Sequence, residues 1–314
     1  MELCLYTDSV AALSLDAALD LAVELGAQAV ELAAGGQSSA PHLRLDELLG
    51  ARTRRDALTA KLDAHGLRLA ALNCSAWPLH PRLGGEQVGI IRSTFRLAGE
   101  LGVDKVVTMS GCPGDSPSSA TINWLTYPWP PEAVTVREEQ WQRALELWRR
   151  LADEAAANGV TRVALELHPL QLVYNVPTLE RLRAEVGPLV GANVDPSHLF
   201  WMQIDPVRVV EALGDAVQHV HLKDVEFRSD ELALAGVLDS RPFADPLRRA
   251  WIFRTVGRGQ GEPFWRSFVE ALRAVGYDDV LSIENEDPLV SAEDGVREAV
   301  AFASRLLVTE QVPR

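Results

Sequence analysis

The sequence predicts a (β/α)8 barrel, and three observations carry that prediction. Eight short apolar runs recur along the 314 residues, at 3–6, 29–33, 67–72, 105–109, 162–167, 191–194, 217–222 and 280–283. Segments of helical period with capping signals separate them. The length also suits eight strand–helix units plus insertions, since about 250 residues suffice for an unadorned barrel. A doubly wound sheet is the competing architecture, but it would place Gly-x-Gly-x-x-Gly after the first strand. The only Gly-rich run, Gly257-Arg258-Gly259-Gln260-Gly261, lacks that spacing and comes late, just before Pro263.

The elements follow in order. Ser14 caps a first helix that stops before Gly26. After the fourth run, residues 111–131 form an insertion with five prolines and Trp124, Tyr127 and Trp129. Thr135-Val136-Arg137-Glu138 has the capping-box form and is expected to open a long helix ending at Asn158-Gly159. Asp205-Pro206 pairs a cap with proline at the first helical position. Residues 225–256 form a second insertion after the seventh run, and Ser291 starts the last helix. Both insertions fall on the C-terminal side of strands, where barrel active sites form, so both are expected to act as lids. Residues 1–314 are expected to form one barrel domain.

Composition narrows the function. Thirty Lys and Arg against 44 Asp and Glu leave a formal charge of −14. That balance repels phosphate backbones and anionic membranes, so neither nucleic acid nor membrane is an expected partner. Three cysteines, Cys4, Cys74 and Cys112, show no metal-finger spacing and fit a reducing cytoplasm. No basic leader opens the chain and no apolar run approaches a membrane span, so a cytoplasmic protein is expected.

The chemistry concentrates at four successive strand ends. They read Leu165-Glu166-Leu167-His168-Pro169, Asn193-Val194-Asp195-Pro196-Ser197-His198, His219-Val220-His221-Leu222-Lys223-Asp224 and Ser282-Ile283-Glu284-Asn285-Glu286-Asp287. In a closed barrel these ends share one mouth, although Glu166, Asp195, His221 and Glu284 lie 29, 26 and 63 residues apart. Burying an unpaired carboxylate is costly, so several together call for a cation. Three carboxylates and one imidazole suit Mn²⁺, Mg²⁺, Co²⁺ or Fe²⁺ better than a thiolate-type zinc site. His219 and His221 share a strand face, so either ligates on pattern alone, and the other fits a hydrogen-bonded histidine inside the barrel. His168 and His198 read as substrate contacts or as supports for ligands. Of eight tryptophans, Trp141 and Trp148 sit seven apart on the long helix and read as core, whereas Trp77, Trp124, Trp129 and Trp201 fall in loops at the mouth. There their faces suit the C–H faces of sugars.

These motifs, with Asn123-Trp124 and the Gly257–Gly261 run, resemble the xylose isomerase-like TIM-barrel superfamily, in its sugar phosphate isomerase/epimerase branch, over nearly the whole chain. The resemblance implies one divalent metal, Mn²⁺ first and Zn²⁺ also admitted, held by Glu166, Asp195, His221 and Glu284. It further implies that Glu166 and Glu284 exchange the substrate proton from opposite faces, through an enediolate next to a chelated carbonyl. His168, His198, Arg258, Trp124 and Trp201 are the expected substrate contacts. The activity implied is isomerisation or epimerisation of a sugar, keto-sugar or cyclitol, by a homodimer or homotetramer. The alternative is a lyase on the same site, a keto-inositol dehydratase or a 3-keto-glycoside β-eliminase. No phosphate-binding loop is visible, which argues against a phosphorylated substrate. A non-catalytic partner subunit is a distant reading that three convergent carboxylates oppose. Abasic-site endonucleases of the superfamily need a three-zinc cluster with histidines on strands three and four. Here those strands end Leu72-Asn73-Cys74-Ser75 and Thr108-Met109-Ser110, and no histidine follows His221.

Overall fold

A computed structural model describes residues 1–116 and 118–307. Each of the eight apolar runs is a barrel strand: β1 (Glu2–Tyr6), β2 (Ala29–Gly36), β3 (Arg68–Ser75), β4 (Lys105–Thr108), β5 (Arg162–Glu166), β6 (Val190–Val194), β7 (Val217–Leu222) and β10 (Val280–Ile283). They pair in parallel in that order, and β10 closes on β1. Strands covered on both faces read as continuous apolar runs rather than alternating ones, which is why the runs mark them so directly. The closed parallel barrel with intervening helices is a TIM barrel.

Local signals set most helix ends. Ser14 Oγ accepts from Ala17 N at 3.2 Å and opens helix Leu15–Glu24, and Gly26 turns the chain away at φ +78°. Asp205 Oδ1 accepts from Val207 N at 2.9 Å ahead of helix Pro206–Leu213. Ser291 Oγ accepts from Asp294 N at 3.1 Å beside helix Ala292–Leu307. One expectation is corrected: the long helix is Pro131–Ala157 and opens at Pro131, so Thr135 lies inside it. Proline at the first position has its φ preset and no N–H to satisfy, so it starts the helix a turn ahead of the capping box. Trp141 and Trp148 are core, 3% and 1% exposed, and Trp148 Nε1 donates to Ser110 O at 2.9 Å.

The barrel interior is graded from floor to mouth. At the N-terminal end the buried Lys105 Nζ lies 2.7 Å from Asp279 Oδ2, which Arg162 Nη1 also reaches at 2.6 Å. Cys4, Ala29, Ala70 and Val280 pack together as a small apolar cluster. Charged and imidazole groups gather toward the C-terminal end and leave the chemistry there.

The two insertions differ. Residues 225–256 build a lid: β8 (Asp224–Phe227) and β9 (Trp251–Arg254) pair antiparallel, and helix Ser229–Ala235 lies between them. The 111–131 segment instead lies against the long helix, where Gln140 Nε2 donates to Pro113 O at 3.0 Å and Asn123 O at 2.8 Å. Among the described residues it contributes nothing to the wall of the mouth cavity, which corrects its reading as a lid. No helix among the described residues is long and apolar enough to cross a membrane.

Candidate active site

The four strand ends deliver their side chains to the barrel mouth in two neighbouring groups, Asp195 with His221 and Glu284, and Glu166 with His168 and His198. β5 ends on Glu166, β7 carries His221, and Glu284 follows β10. Asp195 follows β6 and caps helix Pro196–Trp201, its Oδ1 accepting from Ser197 N at 2.9 Å. Asp195, His221 and Glu284 bring one ligand atom each within 4.8 Å of one another. Glu166 joins through His198, whose Nε2 lies 2.9 Å from Glu166 Oε1 and 3.3 Å from Asp195 Oδ2. Lys223 Nζ stands among the carboxylates, 2.9 Å from Glu284, 3.0 Å from Glu286 and 3.1 Å from Asp195.

This setting pushes the pKa values of the two glutamates apart. Burial and the nearby Glu284 charge raise the Glu166 pKa. Burial alone would raise Glu284 too, but Lys223 and His221 outweigh it and hold Glu284 well below the carboxylate range. Burial pushes His198 and His168 down to about 4, so both rings are neutral at pH 7. The short His198–Glu166 contact therefore holds one proton, on the ring or on the carboxyl.

Behind His221 lies a residue that sequence reasoning missed. Glu31 of β2 is fully buried in the barrel and accepts from Asn73 Nδ2 at 2.8 Å, Ser282 Oγ at 2.7 Å, His219 Nε2 at 2.8 Å and His221 Nε2 at 3.1 Å. Burial would raise its pKa, yet His221 and His219 together hold it well below the usual range. With Nε2 tied to Glu31, His221 turns Nδ1 toward Glu284 Oε2 at 3.1 Å. A carboxylate fixing the far nitrogen of a histidine is the standard support for a metal-binding imidazole. His219 is thus the hydrogen-bonded interior histidine and His221 the one presented to the site. The signal was available: a glutamate inside an apolar strand needs a buried partner.

Above these groups opens a cavity of about 740 Å³, lined among others by Glu166, His168, His198, Trp201, Lys223 and Glu284. Its far wall is the lid, where Trp201 stacks on Trp251 with centroids 5.0 Å apart. Two expected contacts lie elsewhere. Trp124 packs edge-on against Tyr174 at 5.1 Å, outside the cavity. Arg258 points outward to Glu298, with which it makes bonds of 2.7 and 2.8 Å. The Gly-rich run around it serves the backbone instead. The N–H groups of Gly257, Gly259 and Gln260 converge on the Asp224 carboxylate at 2.9 to 3.1 Å, and burial still lifts Asp224 to about 6.

The donor set fits a divalent cation. Asp195 Oδ2 is fully buried and accepts no directed hydrogen bond, although Lys223 and His198 stand beside it. An oxygen ion-paired to Lys223 but without a directed hydrogen bond keeps a lone pair for a cation, beside Glu284 and beside His221 Nδ1, which Asn193 Nδ2 also meets at 3.1 Å; oxygen with imidazole nitrogen suits a hard or borderline metal.

Fold and site together define a TIM barrel whose mouth carries a carboxylate–imidazole centre. The chain belongs to the xylose isomerase-like TIM barrel family, which residues 19–306 match. It is 42% identical over 304 residues to the uncharacterized protein YfiH of Bacillus subtilis (strain 168), covering 96% of this chain and 97% of that one. It is 28% identical over 156 residues to the inosose dehydratase of Geobacillus thermodenitrificans (strain NG80-2), about half of each protein. Among solved structures, the IOLI protein with a bound zinc atom superposes with a TM-score of 0.68 at 20% identity, over 98% of both chains.

Proposed function

We propose that this protein is a divalent-metal-dependent enzyme moving a proton at the carbon next to a carbonyl of a keto-sugar or cyclitol, an isomerase or epimerase. One observation carries the reading: two glutamates on one cavity wall have unlike partners, an ammonium at 2.9 Å for Glu284 and an imidazole at 2.9 Å for Glu166, which push their pKa values apart. Glu284, ion-paired with Lys223 at 2.9 Å, is poised to take a proton. Glu166, hydrogen-bonded to the neutral His198, is poised to return one. Carboxyls with pKa values pushed apart are the usual way one site supplies both base and acid near neutral pH. Glu166, Asp195, His221 and Glu284 would hold the metal. When bound, it would polarise the carbonyl and acidify the neighbouring C–H. Trp201, Trp251 and the lid line the cavity and would shield a bound substrate from water.

The similarity to an inosose dehydratase favours a second reading on the same residues. If a hydroxyl lies β to the carbonyl, proton removal by Glu284 is followed by loss of water, with His198 or Glu166 protonating the leaving oxygen. One experiment separates the two. Protein supplied with Mn²⁺ is incubated in D₂O with a panel of ketoses and inososes, and products are read by mass spectrometry. Deuterium in a recovered isomer supports isomerisation or epimerisation, and loss of water supports the lyase. No exchange and no product with any member of the panel would overturn both. Glu166→Gln and Glu284→Gln are each expected to slow the active reaction by about 10²- to 10⁴-fold.

A further inference from the structure

The lid contains five arginines between residues 228 and 254, and four of them, Arg228, Arg241, Arg248 and Arg254, lie within 4.0 Å of a carboxylate. Arg249 does not, although it is only 2% exposed. Its guanidinium lies 4.1 Å from the ring centroid of Phe243 and 4.8 Å from that of Trp251. Nη1 donates to Arg241 O and Nε to Trp251 O at 3.4 Å. Among the described residues Nη2 donates to nothing, and Arg249 forms part of the cavity wall. Asp239, the nearby candidate for its counter-ion, is already engaged by Arg241 at 2.8 Å and by Ala250 N at 2.7 Å. A buried guanidinium without a carboxylate is costly, and these rings hold it rigidly, so its counter-ion is to be sought in what fills the cavity.

We propose that Arg249 anchors a carboxylate on the substrate, at the end remote from Glu166, Asp195, His221 and Glu284. The site would thus take a keto-sugar acid or carboxylated cyclitol rather than a neutral sugar. Two aromatic rings separate the anchor from the reacting end. Lys223 Nζ lies 4.9 Å from the Phe253 ring, Phe253 stacks on Phe243 at 6.0 Å, and Arg249 covers Phe243. A substrate bridging them spans more than one functional group, in keeping with the cavity's size. One free guanidinium nitrogen suits a carboxylate better than a phosphate, which is ordinarily met by several donors at a helix N-terminus or glycine nest. The rest of the wall disfavours anions, since Asp8, Glu166, Asp239, Glu284 and Glu286 also line it. The other cations of the wall, Lys223 and Arg241, are already ion-paired, with Asp195, Glu284 and Glu286 and with Glu231 and Asp239, so any preference for an anion depends on Arg249.

This inference rests on the proposed keto-sugar site, and its test reads binding without turnover so that the two can fail separately. Tryptophan fluorescence of the Mn²⁺-supplemented protein, reported by Trp201 and Trp251, is titrated with D-glucuronate, D-glucose and D-glucose 6-phosphate. These share a ring and differ at C6. The expected result is that glucuronate binds about 10- to 100-fold more tightly than glucose, an advantage lost in Arg249→Gln and not restored in Arg249→Lys. Equal binding of glucuronate and glucose to the wild type would overturn the proposal without any need for a variant, as would binding of neither. Persistence of the preference in Arg249→Gln would overturn it too. Tighter binding of the phosphate through Arg249 would replace the carboxylate by a phosphate. Deuterium exchange with neutral ketoses and no preference for glucuronate would leave the function standing and remove the anchor. A preference that depends on Arg249, without exchange on any ketose or inosose, would do the reverse.

Discussion

Glu31 never reaches the cavity, yet replacing it should weaken the metal site. Its two oxygens serve Asn73, Ser282, His219 and His221 at 2.7 to 3.1 Å. In Glu31→Gln one oxygen becomes an N–H₂ group that faces donors. Ser282 can rotate its hydroxyl to accept and His221 Nε2 reaches both oxygens, but an N–H₂ in place of Oε2 faces His219 Nε2, and that neutral ring must then switch tautomer and become a donor at its buried, partnerless Nδ1. The charge that orients His221 Nε2 is lost as well. Removing a carboxylate that supports a ligating histidine typically costs 10- to 100-fold in metal affinity, or about 1.4 to 2.7 kcal/mol. A donor left unpaired in the barrel costs a further ~1–3 kcal/mol of stability. Isothermal titration of chelator-stripped wild type and Glu31→Gln with Mn²⁺ measures the first, and thermal melting the second. A variant that folds and binds Mn²⁺ within twofold of wild type would show that His221 is not oriented through Glu31, or that it is not a ligand.

Three further outcomes follow from the same geometry. Burial would lower the His221 pKa, but Glu31 and Glu284 raise it well above the ordinary value, so the metal-free ring is an imidazolium and must lose a proton to ligate. Mn²⁺ binding should therefore release about one proton and tighten with rising pH; titration in buffers of different ionisation enthalpy would show otherwise if no proton is released. His198 and His219 titrate at about 4 when folded, because they are buried, and near 6.5 when unfolded. Between those values the unfolded chain binds more protons, so these two rings and His168, also at about 4, lower stability as pH drops from about 6.5 to 4, by at most ~3 kcal/mol per ring; Glu166 and Asp224, both raised, act in the opposite sense and offset about two of the three, leaving a net fall. A melting temperature that holds level across that window would contradict the assignment of neutral rings. Gly259→Ala places a Cβ against Val225 O and at 2.7 Å from Asp224 Oδ1, which should cost about 1–3 kcal/mol through opening of the backbone cradle around Asp224. Unchanged melting would show that the cradle yields freely.

The strands were legible because a parallel barrel buries both of their faces, leaving runs such as Leu3–Tyr6 almost without polar interruption. The carboxylates at their ends were legible for the opposite reason, being charges where burial is costly. Glu31 stood out as a charge inside an apolar run, but its role did not, because it lies mid-strand in β2 and its partners Asn73, His219 and Ser282 come from strands far along the chain. Arg258 was misread because its glycine neighbours marked a backbone cradle for Asp224, while the side chain turns to Glu298. Arg249 carries no local signal: next to Arg248 it resembles a solvated pair, and only the lid's folding buries one and exposes the other. Trp124 shows the same limit, since a loop tryptophan faces the cavity or the neighbouring helix according to packing that the loop sequence does not encode.

Glu166, Asp195, His221 and Glu284 are proposed to form one metal centre. It is tested most directly by counting metal per chain, by elemental analysis, in wild type and Glu284→Gln after Mn²⁺ loading and removal of free ion. About one Mn²⁺ per wild-type chain is expected, and a substoichiometric amount in the variant. Wild-type protein that retains none, or a variant that retains as much as wild type, would contradict it.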